Sequence, residues 1–487
     1  MSSSILKGLP VRRSMLWNIA GSVVPLVMGL FAIPVLVEQL GEARFGLLIL
    51  SWTFVGYVNI FDFGIGRALT QVVAERLGKG RESELSGLIW LALLILLGLG
   101  FVVGILVFLF SGLIIDGLKV PFPLSVEAVS AFQLLGLGIP FVVCSSGLRG
   151  ILEGYQRFDY VNKVRIPLGT LTFFGPLAVL PISTSLLTLT AILVIIRVFG
   201  MVAYVVLLTK AAPVLRQFRM AAISEILIIA RIGGWITLSN TVAPLMVYFD
   251  RFIIGAYISI AAVSYYSIPF EIVTKFLVLP AAIASVFYPT FASTYQSSAP
   301  IALKYLERGL WAMLLLLFPT LLVFFSVVEW GLDLWLGQSF ALEGAQVARW
   351  LTVGVFLNGI AGIPYAYIQG RGRADLTAKF HLAEAPFYFI ILVWGLANFG
   401  IVGAAIAWTA RVAMDLALLL YATAKLFPIS GALIKKIASV TLFAIVLFGI
   451  LALILNILGS VSGLIAAAVI STLAAIALWP RAFSQIR

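Results

Sequence analysis

The sequence predicts an all-α polytopic membrane protein with about fourteen spanning helices. Three observations carry that reading. Hydrophobic residues make up 62% of the 487-residue chain and charged residues 11%, with a mean hydropathy of +1.13. Soluble domains run near 25% charged and have no interior large enough to hide so much apolar surface, so lipid is the solvent this composition fits. Apolar runs of about 20 residues, enough to span a hydrocarbon core, recur from end to end. Basic residues gather in every second segment between those runs, the asymmetry that sets orientation in a polytopic chain.

Each span is bounded by its charges. Lys7, Arg12 and Arg13 precede the first, at about 14–37, and Arg44 separates it from the second, 46–74. Arg76, Lys79 and Arg81 lead into the third, 87–113, and Lys119 lies before the fourth, 128–150. Arg149, Arg157, Lys163 and Arg165 border the fifth, 166–183, and the sixth follows at 186–208. Lys210, Arg216 and Arg219 precede the seventh, 228–258, and the eighth occupies 262–290. Lys304 and Arg308 open the ninth, 309–333, and Arg349 borders the tenth, 346–368. Arg371, Arg373 and Lys379 precede the eleventh, 380–397, which is followed by the twelfth, 399–421. Lys425, Lys435 and Lys436 precede the thirteenth, 438–458, and the fourteenth, 462–479, ends before Arg481 and Arg487. Alternating these spans leaves only Arg44, Lys119 and Arg349 outside, so both termini are expected in the cytoplasm. A missed span would reverse the bias from that point on, and no reversal occurs. Prolines such as Pro25, Pro140, Pro244, Pro269, Pro280 and Pro364 fall inside spans, where neighbouring helices re-satisfy the freed carbonyls. Some are expected to mark kinks.

Composition excludes several function classes. A single Cys144 offers neither a disulfide nor a thiolate metal site and reads as a small buried residue. His381 is the only histidine, which excludes a histidine-based zinc site. The net charge of +12 lies in short loops, as expected beside a membrane and not on nucleic acid. Gly78-Lys79-Gly80-Arg81 runs into Glu82, not Ser or Thr, so no phosphate-binding P-loop is present and no cofactor is expected. The first apolar run is too long for a cleaved signal peptide. The largest outside segment, 114–127, is too short for a soluble domain.

The chain repeats itself. Val23-Val24-Pro25-Leu26 matches Val242-Ala243-Pro244-Leu245, an offset of 219. Gly154, Arg157, Asp159 and Lys163 recur as Gly370, Arg373, Asp375 and Lys379, an offset of 216. Charges are scarce here, so three in register carry weight. The expected organisation is an N-terminal lobe at 1–225, a C-terminal lobe at 226–427 and an extra helix pair at 428–487. An even number of spans per lobe makes the repeats parallel, related by an axis along the membrane normal.

Intramembrane charges are the default functional candidates, because each costs at least ~2.5–3.5 kcal/mol in lipid. The repeat offset places Asp250 and Arg251 in the outer half of span 7 and Glu271 and Lys275 within span 8, four residues apart on one face. Asp62 and Arg67 lie in span 2, Arg197 in the middle of span 6, and Arg411 and Asp415 four apart in span 12. The alternative for each pair is a self-neutralising lock between helices. Trp52, Tyr57, Tyr248, Tyr265 and Tyr266 suit sugar rings, or else packing and interfacial anchoring. Gly100-xxx-Gly104 reads as a helix contact.

Gly41-Glu42-Ala43-Arg44-Phe45-Gly46-Leu47, with Phe61-Asp62-Phe63-Gly64-Ile65-Gly66-Arg67-Ala68-Leu69-Thr70-Gln71, resembles the second helix of bacterial polysaccharide flippases. So do Asp250-Arg251-Phe252-Ile253-Ile254-Gly255 and Tyr265-Tyr266-x-x-Pro269. These flippases belong to the multidrug/oligosaccharidyl-lipid/polysaccharide exporter superfamily. The resemblance covers essentially the whole chain. It implies two six-helix lobes around a cavity in the bacterial inner membrane. It also implies a lipid-linked oligosaccharide substrate, carried on undecaprenyl diphosphate from the inner to the outer leaflet. By motif position it marks Arg67, Asp62, Asp250 and Arg251 as cavity residues; Lys275, Glu271 and Arg197 rest on the cost of burying charge. A proton or sodium gradient would act through Asp62, Asp250 or Glu271, and a polysaccharide polymerase and glycosyltransferases are the expected partners. The rival readings are a multidrug or small-cation antiporter of the same superfamily and a membrane-embedded glycosyltransferase or polymerase, the last lacking a catalytic constellation.

Overall fold

The computed structural model describes residues 11–216, 245–294 and 299–458, with 465, 466, 469 and 470 beyond them. Among the described residues the chain is helical, joined by short turns, with no strand. Nine of these helices are long and apolar enough to cross a membrane. Most of spans 7 and 14 lies outside the described residues, so the number fourteen stays an expectation. The chain divides into two compact units, Met1–Ser264 and Tyr265–Arg487. The first unit extends past residue 225 because the end of span 7 packs within it: Tyr248 stacks on Tyr57, and Gly255 lies against Leu118.

The first unit holds α1 (Val11–Tyr57), α2 (Ile65–Gly78), α3 (Leu85–Gly117), α4 (Leu124–Gly154), α5 (Phe158–Val179), α6 (Leu186–Ala211) and α7 (Asp250–Tyr257). Helix α1 is two arms. Gly41 stands at φ 70°, ψ 163°, a conformation open only to glycine. The ring of Phe173 on α5 meets both arms, at Gly29 and at Trp52, 5.1 Å away between ring centroids. In one straight helix Gly29 and Trp52 would be roughly 35 Å apart, beyond the reach of any ring. The chain therefore folds back at Gly41, and the expected loop between spans 1 and 2 shrinks to one residue. Helix α4 packs against α3, α6 and α2. Gly100 and Gly104 of α3 meet Pro140 and Gly136 of α4, the small-residue contact expected. On α3, Phe101, Val102, Ile105, Leu109 and Leu113 are more than half exposed, an apolar surface that only lipid satisfies.

In the second unit, α8 (Ile260–Thr274), which begins just before it, passes through a 3-10 turn at Lys275–Leu277 into α9 (Val278–Thr294). Then come α10 (Ala299–Leu336), α11 (Gln338–Gly370), α12 (Ala374–Leu426) and α13 (Gly431–Leu458). Helix α11 is the buried centre, packed on α10, α12 and α9. Helix α12 reverses at Gly400 (φ 58°, ψ −142°), so that the backbones of Gly395 and Gly403 touch. These arms are spans 11 and 12. The sharp corners thus fall at glycines, where a reversal needs positive φ, and not at the prolines inside the helices.

The charged repeat has a structural counterpart. Both copies end a helix in a Schellman motif. Arg157 N–H donates to Leu152 C=O at 2.9 Å and Gln156 N–H to Glu153 C=O at 2.9 Å. Arg373 and Gly372 donate to Ile368 and Gln369 at 3.2 and 2.9 Å. Each arginine then grips the following aspartate with both arms of its guanidinium: Arg157 on Asp159 at 2.9 and 2.8 Å, Arg373 on Asp375 at 2.8 and 3.0 Å. The fork holds the Asp159 carboxyl below its usual range. Residues 242–244 of the other repeat lie outside the described residues.

Candidate functional site

An aromatic-walled cavity of about 560 Å³ lies in the first unit. Its walls are Thr53, Phe54 and Tyr57 from the end of α1, Val58, Phe61 and Phe63 beyond it, and Leu113, Ile114, Gly117 and Leu118 at the end of α3. Phe132 of α4 and Leu245, Tyr248, Phe249, Phe252 and Ala256 complete it. This volume falls in the range of ~300–1,000 Å³ that small-molecule sites occupy. The rings of Tyr57 and Tyr248 stack, with centroids 3.3 Å apart.

The cavity's edge is a broken helix. A 3-10 turn covers Val58–Asp62, and α2 starts only at Ile65. Between them Phe63 (φ 47°) and Gly64 (φ 72°) are both left-handed. Positive φ is uncommon in a bulky aromatic residue and must be held by its surroundings. Asp62 does the holding. Its Oδ1 accepts Gly64 N–H at 2.7 Å, and its Oδ2 accepts the Ser146 hydroxyl of α4 at 2.7 Å. Asp62 and Arg67 therefore belong to different helical segments, which corrects the expectation of one continuous span. A run of Gly64, Ile65, Gly66 after Asp62 was the available signal, since Asp followed two residues later by Gly favours a turn. Arg67, the third residue of α2, is exposed. Behind it α2 meets α4 closely: Thr70 Oγ1 donates to Gly150 C=O at 2.9 Å, and a Cβ on Gly150 would strike the Gly66 carbonyl.

Asp250 and Arg251 open α7 and are 0% and 1% exposed. Arg251 Nη1 donates to Val247 C=O at 3.0 Å and lies 3.5 Å from Asp250 Oδ1, which also accepts the Arg251 backbone N–H at 2.8 Å. The guanidinium sits 5.2 Å from the centre of the Tyr248 ring. The pair is thus buried behind the cavity wall, supporting Tyr248, and does not line the cavity.

The remaining candidates are dispersed. Glu271 and Lys275 form their expected pair at 3.1 Å, but both are about half exposed. The buried face of α8 is carried by Tyr266, Phe270 and Val273 instead. Tyr265 packs edge-on against Phe340, and Trp52 is wedged between Phe45 and Phe173. Arg197 of α6 donates from Nη2 to Thr172 Oγ1 of α5 at 3.1 Å, a hydroxyl and not a carboxylate. Arg411 does not form its ion pair with Asp415 as expected. Its Nη1 lies 3.8 Å from Glu384 Oε2, across the α12 hairpin. Sequence spacing could not show that contact, because it depends on the reversal at Gly400. Cys144 is buried. Among the described residues no group of His, Cys, Asp and Glu is arranged to hold a metal.

Comparison with known proteins agrees with this architecture. The model of a family described as polysaccharide biosynthesis protein matches residues 11–295. A putative O-antigen transporter of Shigella flexneri is 27% identical over 415 residues, covering 84% of this chain and 97% of that protein. The lipopolysaccharide biosynthesis protein WzxC of Escherichia coli (strain K12) is 22% identical over 397 residues, covering 80% of this chain and 75% of that one. Among solved structures, lipid II flippase MurJ in an inward closed conformation aligns with TM-score 0.70 at 15% identity, over 95% of this chain and 99% of its own. An inward-facing multidrug resistance MATE family transporter of the MOP superfamily aligns with TM-score 0.69 at 15% identity, over 86% and 99%. These two likenesses concern the fold. With its multi-pass apolar helices, its glycine-cornered hairpins and a family model matched over more than half its length, the chain belongs to the polysaccharide biosynthesis protein family.

Proposed function

We propose that this chain is a flippase that moves an undecaprenyl-diphosphate-linked oligosaccharide from the cytoplasmic to the outer leaflet. The carrying observation is the aromatic-walled cavity at the broken second span, in a chain similar along most of its length to a putative O-antigen transporter. Tyrosine and phenylalanine faces suit the apolar faces of sugar rings, and a large cavity with few polar groups fits a bulky head group handled without tight binding. Arg67, exposed on the first turn of α2, is the residue proposed to meet the diphosphate, since a guanidinium fork matches phosphate oxygens. The transport cycle is alternating access by rocking of the lobes 1–225 and 226–427, with 428–487 offering a path for the prenyl tail. Both termini are cytoplasmic in this reading, and a proton or sodium gradient drives the cycle.

A multidrug or small-cation antiporter is the rival, favoured by the apolar lining alone. A cation carrier needs an acidic group in its cavity, and none stands among the described residues that line this one. A membrane-embedded polymerase or glycosyltransferase needs an outside catalytic loop, yet only residues 118–123 separate α3 from α4. Complementation decides: the chain, expressed in an O-antigen flippase-null strain with a matching polysaccharide locus, is expected to restore surface polysaccharide. Dye export from vesicles without restored polysaccharide would refute the flippase reading.

A further inference from the structure

The second unit contains a buried polar cluster that the cavity does not use. Helix α12 carries His381 and Glu384 on one arm and Arg411 and Asp415 on the other. Counting from the corner at Gly400, Glu384 and Asp415 lie about 24 Å and 22 Å down their arms at 1.5 Å per residue, so the hairpin brings them level. Glu384 is 0% exposed, and neither of its carboxyl oxygens accepts a hydrogen bond from an N–H or O–H donor among the described residues, although the Asp415 carboxyl lies within hydrogen-bonding reach of it. Asp415 Oδ1, His381 Nδ1 and Arg411 Nε are likewise buried without a hydrogen-bond partner among the described residues. The neighbours are specific: Arg411 stands 3.8 Å from Glu384, and Asp415 lies beside Glu384 and near enough to His381 and Arg411 for their charges to act on it, though outside ion-pair distance of Arg411. Buried polar atoms in native structures almost always have partners, so this many orphans in one place call for a missing occupant.

We propose that His381, Glu384, Arg411 and Asp415 form a site that binds and releases one proton, and that this exchange couples an ion gradient to the transport cycle. The second half rests on the flippase reading; the first does not. With both carboxyls ionised, Arg411 charged and His381 neutral, the cluster carries one net negative charge. One bound proton neutralises it, and an apolar surrounding favours neutrality strongly. That proton would sit on one carboxyl and be donated to the other or to His381 Nδ1, filling acceptors that now have no donor. On release it passes to water and leaves a single uncompensated negative charge between the arms. A metal cation is disfavoured because Arg411 already occupies the position beside Glu384. His381 and Asp415 are half-buried, which gives the proton an edge to enter by, while Glu384 and Arg411 are enclosed.

Among the described residues, no other charged group on α12 or on the helices packed against it is poised to take the role. The helices packed on α12 are α11 and α13. The charges of α11 are Glu343, which is exposed, and Arg349, held by Glu329 at 2.7 Å; just past its end Arg371 is bonded to Tyr367 and the Leu426 carbonyl. Those of α13 are Lys435 and Lys436, both exposed. On α12 itself Asp375 is gripped by Arg373 and Lys379, with Lys379 turned out at 70% exposure, and Lys425 is exposed.

Infrared difference spectroscopy on the purified full chain tests the site directly. A pH step from neutral to alkaline is expected to remove a carbonyl-stretch band of a protonated carboxylic acid, and Glu384→Gln or Asp415→Asn is expected to lose that band. Its persistence in both variants, its absence from the parent chain, or its removal by sodium at fixed pH would overturn a proton site. Export in the complemented strain then tests coupling: both variants, inserted normally, should lose most of it, and full export by both would overturn the second half. If the parent chain restores no export at all, the flippase reading falls while the infrared result stands.

Discussion

Removing the charge of Arg251 should destabilise the first unit through the carboxylate it leaves behind. The guanidinium lies 3.5 Å from Asp250 Oδ1 in a site where both residues are essentially unexposed. At an effective dielectric of about 20 that separation corresponds to about 5 kcal/mol of attraction. The bond from Nη1 to Val247 adds about 1 kcal/mol. Against this stands the desolvation of the guanidinium, which the substitution relieves, and Asp250 keeps the Arg251 backbone N–H at 2.8 Å. The balance for breaking one partner of a buried pair is a loss of about 3–5 kcal/mol. Arg251→Met, which fills similar volume, is therefore expected to lose that amount, and Asp250→Asn a comparable one. The double variant removes both charges and is expected to return to within about 1 kcal/mol of the parent. Denaturant unfolding of the purified protein in micelles, followed by tryptophan fluorescence, measures all four corners of the cycle. A loss below about 1 kcal/mol for Arg251→Met, or a double variant as damaged as the sum of the singles, would refute the account of a mutually compensating buried pair.

The other predictions concern the cavity and its edge. Arg67→Ala should abolish export in the complemented strain at normal expression, and Arg67→Lys should restore it only in part, because an ammonium cannot grip phosphate with two donors. Asp62→Ala removes the acceptor of two hydrogen bonds at the helix break and should cost about 2–3 kcal/mol in the same unfolding assay. Asp62→Asn should lose less, because its amide oxygen still accepts from Gly64 N–H, and its Nδ2 can donate to Ser146 Oγ while that hydroxyl donates to Val143 C=O. Tyr57→Ala and Tyr248→Ala should each reduce surface polysaccharide, whereas the Phe substitutions should retain it, since ring faces line the cavity. Equal loss in the Phe variants would assign the role to the hydroxyls.

Much of this protein is written in its order of residues. Apolar runs interrupted by basic segments dictate helices in lipid, because a backbone without water must satisfy its own hydrogen bonds. The Gly-x-x-Arg-x-Asp-x-x-x-Lys repeat located two copies of one turn, and the structure builds both with the same cap and the same arginine fork. Local spacing also predicted the Glu271–Lys275 pair, since side chains four apart meet on any helix. Tertiary structure alone decided which charges are buried and what they face. Asp62 became a clamp because the chain breaks beside it and Ser146 of α4 happens to be opposite. Arg411 turned from Asp415 to Glu384 because a reversal at Gly400 brings together residues 27 positions apart. Periodicity assigns a residue to a helix face, but the neighbour on that face belongs to another segment. The partner of a buried charge is therefore set by the packing of the whole chain.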